Sequence, residues 1–140
     1  MRYLLDTNIF IYLASDTDSL SDDVAAILED SGNVFYISVV SMTELVVGFR
    51  KHRFSTKAWD SAEEMLRSIT NDFNIWPLPI KEEHNYTLAR LEINDKWNHN
   101  DPMDHMIIAH AITEKLPLIS SDLKFEHYRS QGLDLILNKK

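Results

Sequence analysis

Short apolar runs alternate with segments of helical periodicity along the whole chain, and this alternation is the feature that most constrains the fold. The predicted strands are Arg2–Leu5, Val34–Ser38, Phe73–Pro79, Leu116–Ser120 and Leu133–Leu137. The predicted helices are Asn8–Ala14, Asp22–Glu29, Ser41–Arg50, Trp59–Ile69, Lys81–Ile93 and Pro102–Glu114. Strands separated by helices favour an α/β fold, with a mostly parallel sheet covered on both faces.

The composition is that of a soluble globular protein, and it predicts one domain over residues 1–140. Cysteine is absent, which excludes disulfides and thiolate metal sites. The apolar N-terminus is interrupted by Asp6 and Asn8 and lacks a small-residue cleavage site, so we reject a signal peptide. No run approaches the ~20 apolar residues that a membrane helix needs. We therefore expect a cytoplasmic protein that does not enter a membrane.

The net charge of −8 argues against a generally basic surface for binding a polyanion. A protein of this charge that binds nucleic acid must supply positive charge locally or obtain it from metal ions. The densest basic cluster contains Arg50, Lys51 and Arg53. Two interpretations stay open for it: the cations stabilise the C-terminus of a helix, or they contact RNA phosphates.

Acidic residues follow or precede the predicted strands at four places, namely Asp6, Glu44, Asp104 and Asp122. In parallel α/β sheets, ligands bind outside the carboxyl ends of the strands. Each acid also has a purely structural interpretation. Glu44 fits a capping box with Ser41, and Asp6 and Asp122 fit turns or helix starts.

The segment NDPMDHMIIAHA joins both interpretations at one helix start. Asp101 fits the N-cap, Pro102 fits the first helical position, and Asp104 falls where the helix dipole favours a carboxylate. On this segment alone a helix start accounts for both acids, and we predict that Asp101 is the N-cap.

Carboxylates gathered at one edge of a sheet repel one another and raise each other's pKa values. A cation that neutralises the group would relieve this repulsion, and oxygen ligands select hard ions such as Mg²⁺ or Mn²⁺. One or two such ions would activate a water and stabilise the leaving oxygen in phosphodiester hydrolysis.

Four motifs in order, LLDTNIFIYLA, SVVSMTEL, DPMDHMIIAHA and LPLISSDLKF, resemble the PIN-domain family and most of all its VapC toxins. The resemblance runs from residue 3 to about residue 128. It implies a three-layer α/β/α sandwich and an endoribonuclease that depends on Mg²⁺ or Mn²⁺. It also implies a VapB-like antitoxin as partner and a homodimer.

The family's acidic quartet falls on Asp6, Glu44, Asp104 and Asp122. Asn8 and Ser120 match its polar helper positions, which would orient a ligand or the nucleophilic water, and Asp101 matches a secondary acid. His105 stands where the family often has Arg, which puts a phosphate contact at that position in doubt.

Two further expectations concern side chains outside this quartet. The spacing of His105 and His110 does not match an i, i+4 zinc pair, so we expect solvated or capping histidines. Trp76 lies between apolar neighbours and is expected in the core.

The main hypothesis is therefore a metal-dependent endoribonuclease acting as the toxin of a toxin–antitoxin pair. A second hypothesis is phosphoryl transfer through Asp6, as in HAD-type phosphatases or receiver domains. Against it, Asn8 stands where a HAD-type site has a second Asp, and no well-placed Lys is evident. A third hypothesis is a non-catalytic binding module whose acids only cap helices.

Overall fold

A computed structural model of the chain describes residues 1–140. The strands are β1 (Arg2–Leu5), β2 (Val34–Ser38), β3 (Ile75–Leu78), β4 (Leu118–Ser120) and β5 (Leu135–Leu137). The α-helices are α1 (Thr7–Ser15), α2 (Asp22–Glu29), α3 (Val39–Arg50), α4 (Ala62–Asn71), α5 (Glu82–Arg90) and α6 (Pro102–Glu114). Segments of 3₁₀-helix cover Thr17–Ser19, Asp95–Trp97 and Leu123–Gln131. All the predicted strands and helices are present, with shifted ends.

The five strands form one sheet in the order β3-β2-β1-β4-β5, and every pairing is parallel. The predicted α/β fold with a mostly parallel sheet is confirmed. β1 lies at the centre, and the order reverses between β1 and β4, since the chain runs outward from β1 in one direction and later returns to its other side. This reversal is the topological switch point, where open α/β sheets bind their ligands.

Alternate residues of the central strands point to two separate apolar cores, which makes the fold three-layered. Leu5 and Ile119 belong to a core with residues of α1, α2, α3 and α4. Leu4 and Leu118 belong to a second core with residues of α6 and the Leu123–Gln131 segment. The predicted α/β/α sandwich is therefore confirmed.

The start of α3 differs from the prediction. The Ser38 hydroxyl accepts a hydrogen bond from Val40 N–H, so α3 begins at Val39 and not at Ser41. The interpretation of Ser41 and Glu44 as a capping box is therefore wrong. Glu44 lies inside α3, and its carboxylate does not cap the helix. Asp101 caps α6 as predicted, accepting a 2.9 Å hydrogen bond from Met103 N–H.

Trp76 corrects an expectation about the core. It lies on β3, an edge strand, and 49% of its surface is exposed. Side chains at the edge of the sheet are covered only in part by the layers on either face, so a large side chain there can be exposed to solvent. Separately, none of the helices has the length and apolar character that crossing a bilayer requires.

Candidate metal centre

A cavity of about 410 Å³ opens at the carboxyl ends of β1 and β4, where the strand order reverses. Five carboxyl side chains line it, those of Asp6, Glu44, Asp101, Asp104 and Asp122. Asp6 follows β1 directly, and Asp122 comes two residues after β4. The remaining three come from α3 and the start of α6. The fold thus brings acids that lie far apart in sequence to one place.

Asp6 is the most enclosed of these acids, with 5% of its surface exposed. Its Oδ1 accepts a 2.8 Å hydrogen bond from Thr7 N–H, which caps α1. Its Oδ2 accepts a 2.7 Å hydrogen bond from the Ser120 hydroxyl at the end of β4. The Asp6 carboxylate therefore has one fixed orientation at the base of the cavity.

Glu44 approaches the same cavity from α3, and its Oε1 accepts a 2.7 Å hydrogen bond from the Thr7 hydroxyl. Thr7 therefore contacts two of the acids, Asp6 through its amide and Glu44 through its side chain. Asp122 lies on the opposite side, where it caps the Leu123–Gln131 segment by accepting from Lys124 N–H at 2.9 Å. Its own N–H donates to the Ser120 hydroxyl at 3.1 Å.

Asp104 lies at the centre of the arrangement, in the first turn of α6. One oxygen each of Glu44, Asp101 and Asp104 lie within 4.8 Å of one another. A second group, formed by His99, Asp104 and Asp122, meets the same limit. Asp104 is common to both groups and so connects the two sides of the cavity.

Burial and mutual repulsion raise the pKa of three of these carboxyl groups. Burial is the largest cause at Asp104, where the nearby Asp6 and Asp101 add to it and the pKa rises to about 8. At Asp6 burial raises the pKa to about 6, although hydrogen bonds from Ser120 and Thr7 oppose the rise. Burial also raises the pKa of Glu44, against the Thr7 hydrogen bond. Concentrated negative charge is therefore costly here unless a cation offsets it.

The donor set fits a hard divalent cation. The acids supply carboxylate oxygens, which Mg²⁺ and Mn²⁺ prefer. Arg53 is the only cationic side chain that lines the cavity, so the protein itself does not balance the acids. The residues present therefore suit one or two divalent ions.

The other predicted site residues fall in different places. Asn8 is exposed and lines the cavity, whereas Ser120 is fully buried and contacts the cavity through Asp6 and Asp122. Arg53 lines the cavity, but Arg50 and Lys51 do not. The basic cluster is thus divided, with one member at the acids and two on the outer surface.

The histidine expectation is wrong, because both residues are buried, His105 with 9% and His110 with 1% of its surface exposed. His105 donates from Nε2 to the His99 carbonyl at 2.8 Å, and His110 Nδ1 lies 3.1 Å from the Ser38 hydroxyl. His105 does not line the cavity, so it does not replace the phosphate contact of an Arg at that position.

Sequence reasoning missed two residues that contact the acids, Thr7 and His99. Thr7 follows Asp6 directly, and a hydroxyl residue next to a candidate ligand could have been predicted to donate a hydrogen bond within the site. His99 Nε2 lies 3.1 Å from Asp104 Oδ2. It comes from a polar loop without periodicity, so only the structure identifies it.

Four apolar side chains also line the cavity, and we call them the apolar wall: Ile11, Val47, Phe54 and Met103. Gly48, in α3, lies against the Phe54 ring. A Cβ atom at Gly48 would lie 2.6 Å from Phe54 Cε1, closer than packing allows. Glycine at position 48 therefore lets the Phe54 ring lie against α3 and form part of the wall.

Solved structures with the same fold include members of toxin–antitoxin systems. A chain of VapBC2 from Rickettsia felis, bound to a promoter DNA fragment, superposes with a TM-score of 0.72 at 22% identity, covering 99% of this chain and 100% of that one. VapBC-1 from nontypeable Haemophilus influenzae gives 0.68 at 23% identity, with both chains covered completely. VapBC-5 from Mycobacterium tuberculosis gives 0.62 at 19% identity, covering 99% and 98%. At these identities the likeness establishes the fold alone.

Sequence comparisons add the family. Among curated proteins, none is detectably similar to this chain. The model of the PIN domain matches residues 3–130, which include every acid of the cavity. The chain therefore belongs to the PIN domain family.

Proposed function

We propose that this protein is an endoribonuclease that hydrolyses RNA phosphodiester bonds with the help of Mg²⁺ or Mn²⁺. The observation that carries the proposal is the position of Asp104, within 4.8 Å of carboxylate oxygens on both sides of a cavity at the sheet's switch point. Membership of the PIN domain family and the fold shared with VapBC structures support it.

In the proposed mechanism Asp6, Glu44, Asp104 and Asp122 would hold the ions, and Asp101 would be a secondary acid, since its side chain caps α6. Bound ions supply positive charge to the scissile phosphate and lower the pKa of an attacking water. Ser120 and Thr7 keep Asp6 and Glu44 in orientation through their hydroxyl groups. Asn8, at the exposed rim, orients the substrate or the water. A side-chain general base is not required.

In this proposal, a few positively charged side chains near the cavity allow RNA to bind to a protein whose net charge is negative. Arg53 faces the cavity and contacts a phosphate, and the apolar wall with Phe54 lies beside it. Arg50 and Lys51 are exposed on the neighbouring surface, where they extend the contact to more distant phosphates. The ions themselves reduce the repulsion between the acids and the RNA backbone.

Two features argue against Asp6 as the nucleophile of a phosphoryl-transfer enzyme. Both carboxylate oxygens of Asp6 already accept hydrogen bonds, and the side chain is buried. No lysine lines the cavity to stabilise a transferred phosphoryl group. A non-catalytic module would leave unexplained why the acids share one cavity with raised pKa values.

The test is RNA cleavage by the purified protein with Mg²⁺ or Mn²⁺ and its loss in EDTA. Asp6→Asn and Asp104→Asn should each lower the rate by a factor on the order of 100 or more, since an amide cannot replace an ionised ligand. The matched control is Asp72→Asn, the same substitution at an exposed aspartate that follows the C-terminal end of α4 and does not line the cavity. Unchanged cleavage by Asp104→Asn would contradict the proposal.

We further propose that the protein is the toxin of a VapBC-type pair, with a VapB-like antitoxin as partner and a homodimer as its own assembly. The related structures carry the names VapBC and toxin–antitoxin complex. Expression of the chain alone should arrest growth, and co-expression with the product of a short neighbouring gene should restore it. Light scattering during size-exclusion chromatography gives the mass of the assembly.

A further inference from the structure

A hydrogen-bonded chain enters the cavity from the loop before α6. His99 lies in this loop with 2% of its surface exposed, and its Nε2 is 3.1 Å from Asp104 Oδ2. Its Nδ1 lies 2.9 Å from the Tyr128 hydroxyl. The Tyr128 hydroxyl oxygen in turn accepts from Asn94 N–H at 3.1 Å. Three residues thus form a continuous chain that ends on the central acid of the site.

The proton positions along this chain follow from the chemistry of each group. A carboxylate that binds a metal is ionised and only accepts, so His99 Nε2 must donate to Asp104. Nδ1 of the neutral imidazole then accepts the Tyr128 hydroxyl proton, while the Tyr128 oxygen accepts from Asn94 N–H. Every donor meets an acceptor, and the histidine has one defined tautomer.

Packing holds the His99 ring in this position. Its centroid is 5.6 Å from the Phe125 ring and 4.8 Å from the His105 ring, which meets it edge-on at 81°. His105 also donates from Nε2 to the His99 carbonyl at 2.8 Å and so fixes the backbone. Phe125 and Tyr128 are themselves fully buried. These contacts hold both the ring and the backbone of the loop in place.

We propose that His99 is a positioning residue for Asp104, held by Tyr128 as the tautomer that carries its proton on Nε2. This proposal rests on the proposed role of Asp104 as a metal ligand. Hydrogen bonds to ligating groups fix their orientation, and their loss typically lowers metal affinity ~10–100-fold. Because Oδ2 is held by His99, Asp104 loses less conformational freedom when it binds an ion.

A direct bond from His99 to the metal is the competing role, since its ring nitrogen lies within 4.8 Å of oxygens of Asp104 and Asp122. Hard divalent ions prefer oxygen donors, and the Nε2 atom already faces the Asp104 oxygen at hydrogen-bond distance. A positioning role therefore explains the contact between His99 Nε2 and Asp104 Oδ2, and it leaves the carboxylate oxygens as the ligands of the ion.

The test compares two amides at position 99 by titration calorimetry with Mn²⁺. In His99→Gln the amide nitrogen reaches the place of Nε2 and still donates to Asp104, whereas in His99→Asn it stops near the place of Nδ1. We expect His99→Asn to bind Mn²⁺ ~10–100-fold more weakly and His99→Gln to stay within about threefold of the parent. His127→Gln, at an exposed histidine beside Tyr128, should change nothing.

A second variant keeps the test decisive if His99→Asn does not fold. Tyr128→Phe preserves the buried ring and removes the hydroxyl that sets the tautomer, so it should also weaken Mn²⁺ binding, and by less than His99→Asn. Thermal melting in EDTA establishes that each variant is folded. Equal Mn²⁺ affinity in the parent and in every folded variant would overturn the proposal.

Electron spin-echo spectroscopy of the Mn²⁺ complex separates positioning from ligation. An imidazole nitrogen bonded directly to Mn²⁺ gives a strong ¹⁴N coupling. We expect the parent spectrum to contain no such coupling that disappears in the His99→Gln variant. Such a coupling in the parent would overturn positioning but leave the metal site intact. Failure of the parent to bind Mn²⁺ at all would instead overturn the proposed function, and positioning with it.

Discussion

The Ser120 hydroxyl donates a 2.7 Å hydrogen bond to Asp6 Oδ2 and so joins the ends of β4 and β1 across the switch point of the sheet. The two residues are 114 positions apart in sequence, and both are buried. The same hydroxyl oxygen accepts from Asp122 N–H, so one serine connects two of the acids.

Ser120→Ala should make metal binding more sensitive to acid. The Ser120 hydrogen bond lowers the pKa of Asp6, so its removal raises that pKa further above about 6. A metal must then displace a proton at pH 6, and we expect Mn²⁺ affinity to fall ~10-fold there and less at pH 8. Calorimetry at both pH values measures this, with Ser120→Thr as the control that keeps the hydroxyl. Equal losses at the two pH values would contradict it.

The metal-free protein should lose stability as the pH rises. Asp6 and Asp104 have pKa values raised from 3.8 to about 6 and about 8, so the folded state binds protons that the unfolded state has released. The free energy of unfolding therefore falls between pH 4 and pH 8, and this part of the stability is present only below the folded-state pKa values.

Asp104→Asn isolates this effect in thermal melts with EDTA. The variant should melt on the order of 5 °C above the parent at pH 8, with the difference closing toward pH 5. Added Mn²⁺ should reverse the order, because only the parent retains the central ligand. A parent melting temperature in EDTA that exceeds that of the variant at pH 8 would contradict the raised pKa of Asp104.

Thr7→Val should weaken metal binding through Glu44. The Thr7 hydroxyl donates a 2.7 Å hydrogen bond to Glu44 Oε1, and valine preserves the shape of the side chain without the donor. We expect Mn²⁺ affinity to fall ~10-fold, as is typical when a ligating carboxylate loses its hydrogen-bond partner. Thr7→Ser keeps the hydroxyl and should bind like the parent. Calorimetry of both variants decides the point.

Arg53→Ala should reduce the salt dependence of RNA binding more than Arg50→Ala or Lys51→Ala. Of these three residues only Arg53 lines the cavity, where the proposed RNA would pass the acids. Loss of one phosphate contact lowers the slope of log affinity against log salt by ~0.7 for a single strand. Affinities of a non-cleavable RNA at several salt concentrations measure it. A slope for Arg53→Ala equal to that of the parent protein would place the RNA elsewhere.

Gly48→Ala should destabilise the protein and disturb the apolar wall. The added Cβ would lie 2.6 Å from Phe54 Cε1, so the Phe54 ring has to leave its place. We expect a cost of ~1–3 kcal/mol from overpacking, measured by denaturant unfolding. In a Phe54→Ala background the clash is absent, and the same substitution should be neutral or stabilising, since alanine favours helix.

The part of the site that sequence could predict is the part set by backbone topology. Asp6 and Asp122 follow apolar runs, and parallel strands bring their carboxyl ends to one edge, so their meeting follows from the pattern. Asp101 and Pro102 mark a helix start by local chemistry alone, and this placed Asp104 in the first turn.

The errors share a cause, which is that contacts between distant segments leave no local pattern. Ser38 and Ser41 are both credible caps by residue type, and the structure uses Ser38, the last residue of β2. Trp76 is exposed because β3 lies at the edge, and strand order is not written in the run itself. His99 matters through Tyr128, which lies 29 residues away.

The acid at the base of the cavity and two residues at its rim belong to different segments of the chain. Asp6 is fixed by neighbours on β4 and α1, whereas Arg53 and Phe54 come from the stretch between α3 and α4, which touches none of those bonds. Loops of this kind accept insertions and exchanges of residues readily. Under the proposed function, substitutions in this stretch would change which RNA the protein contacts and leave the arrangement of the acids intact.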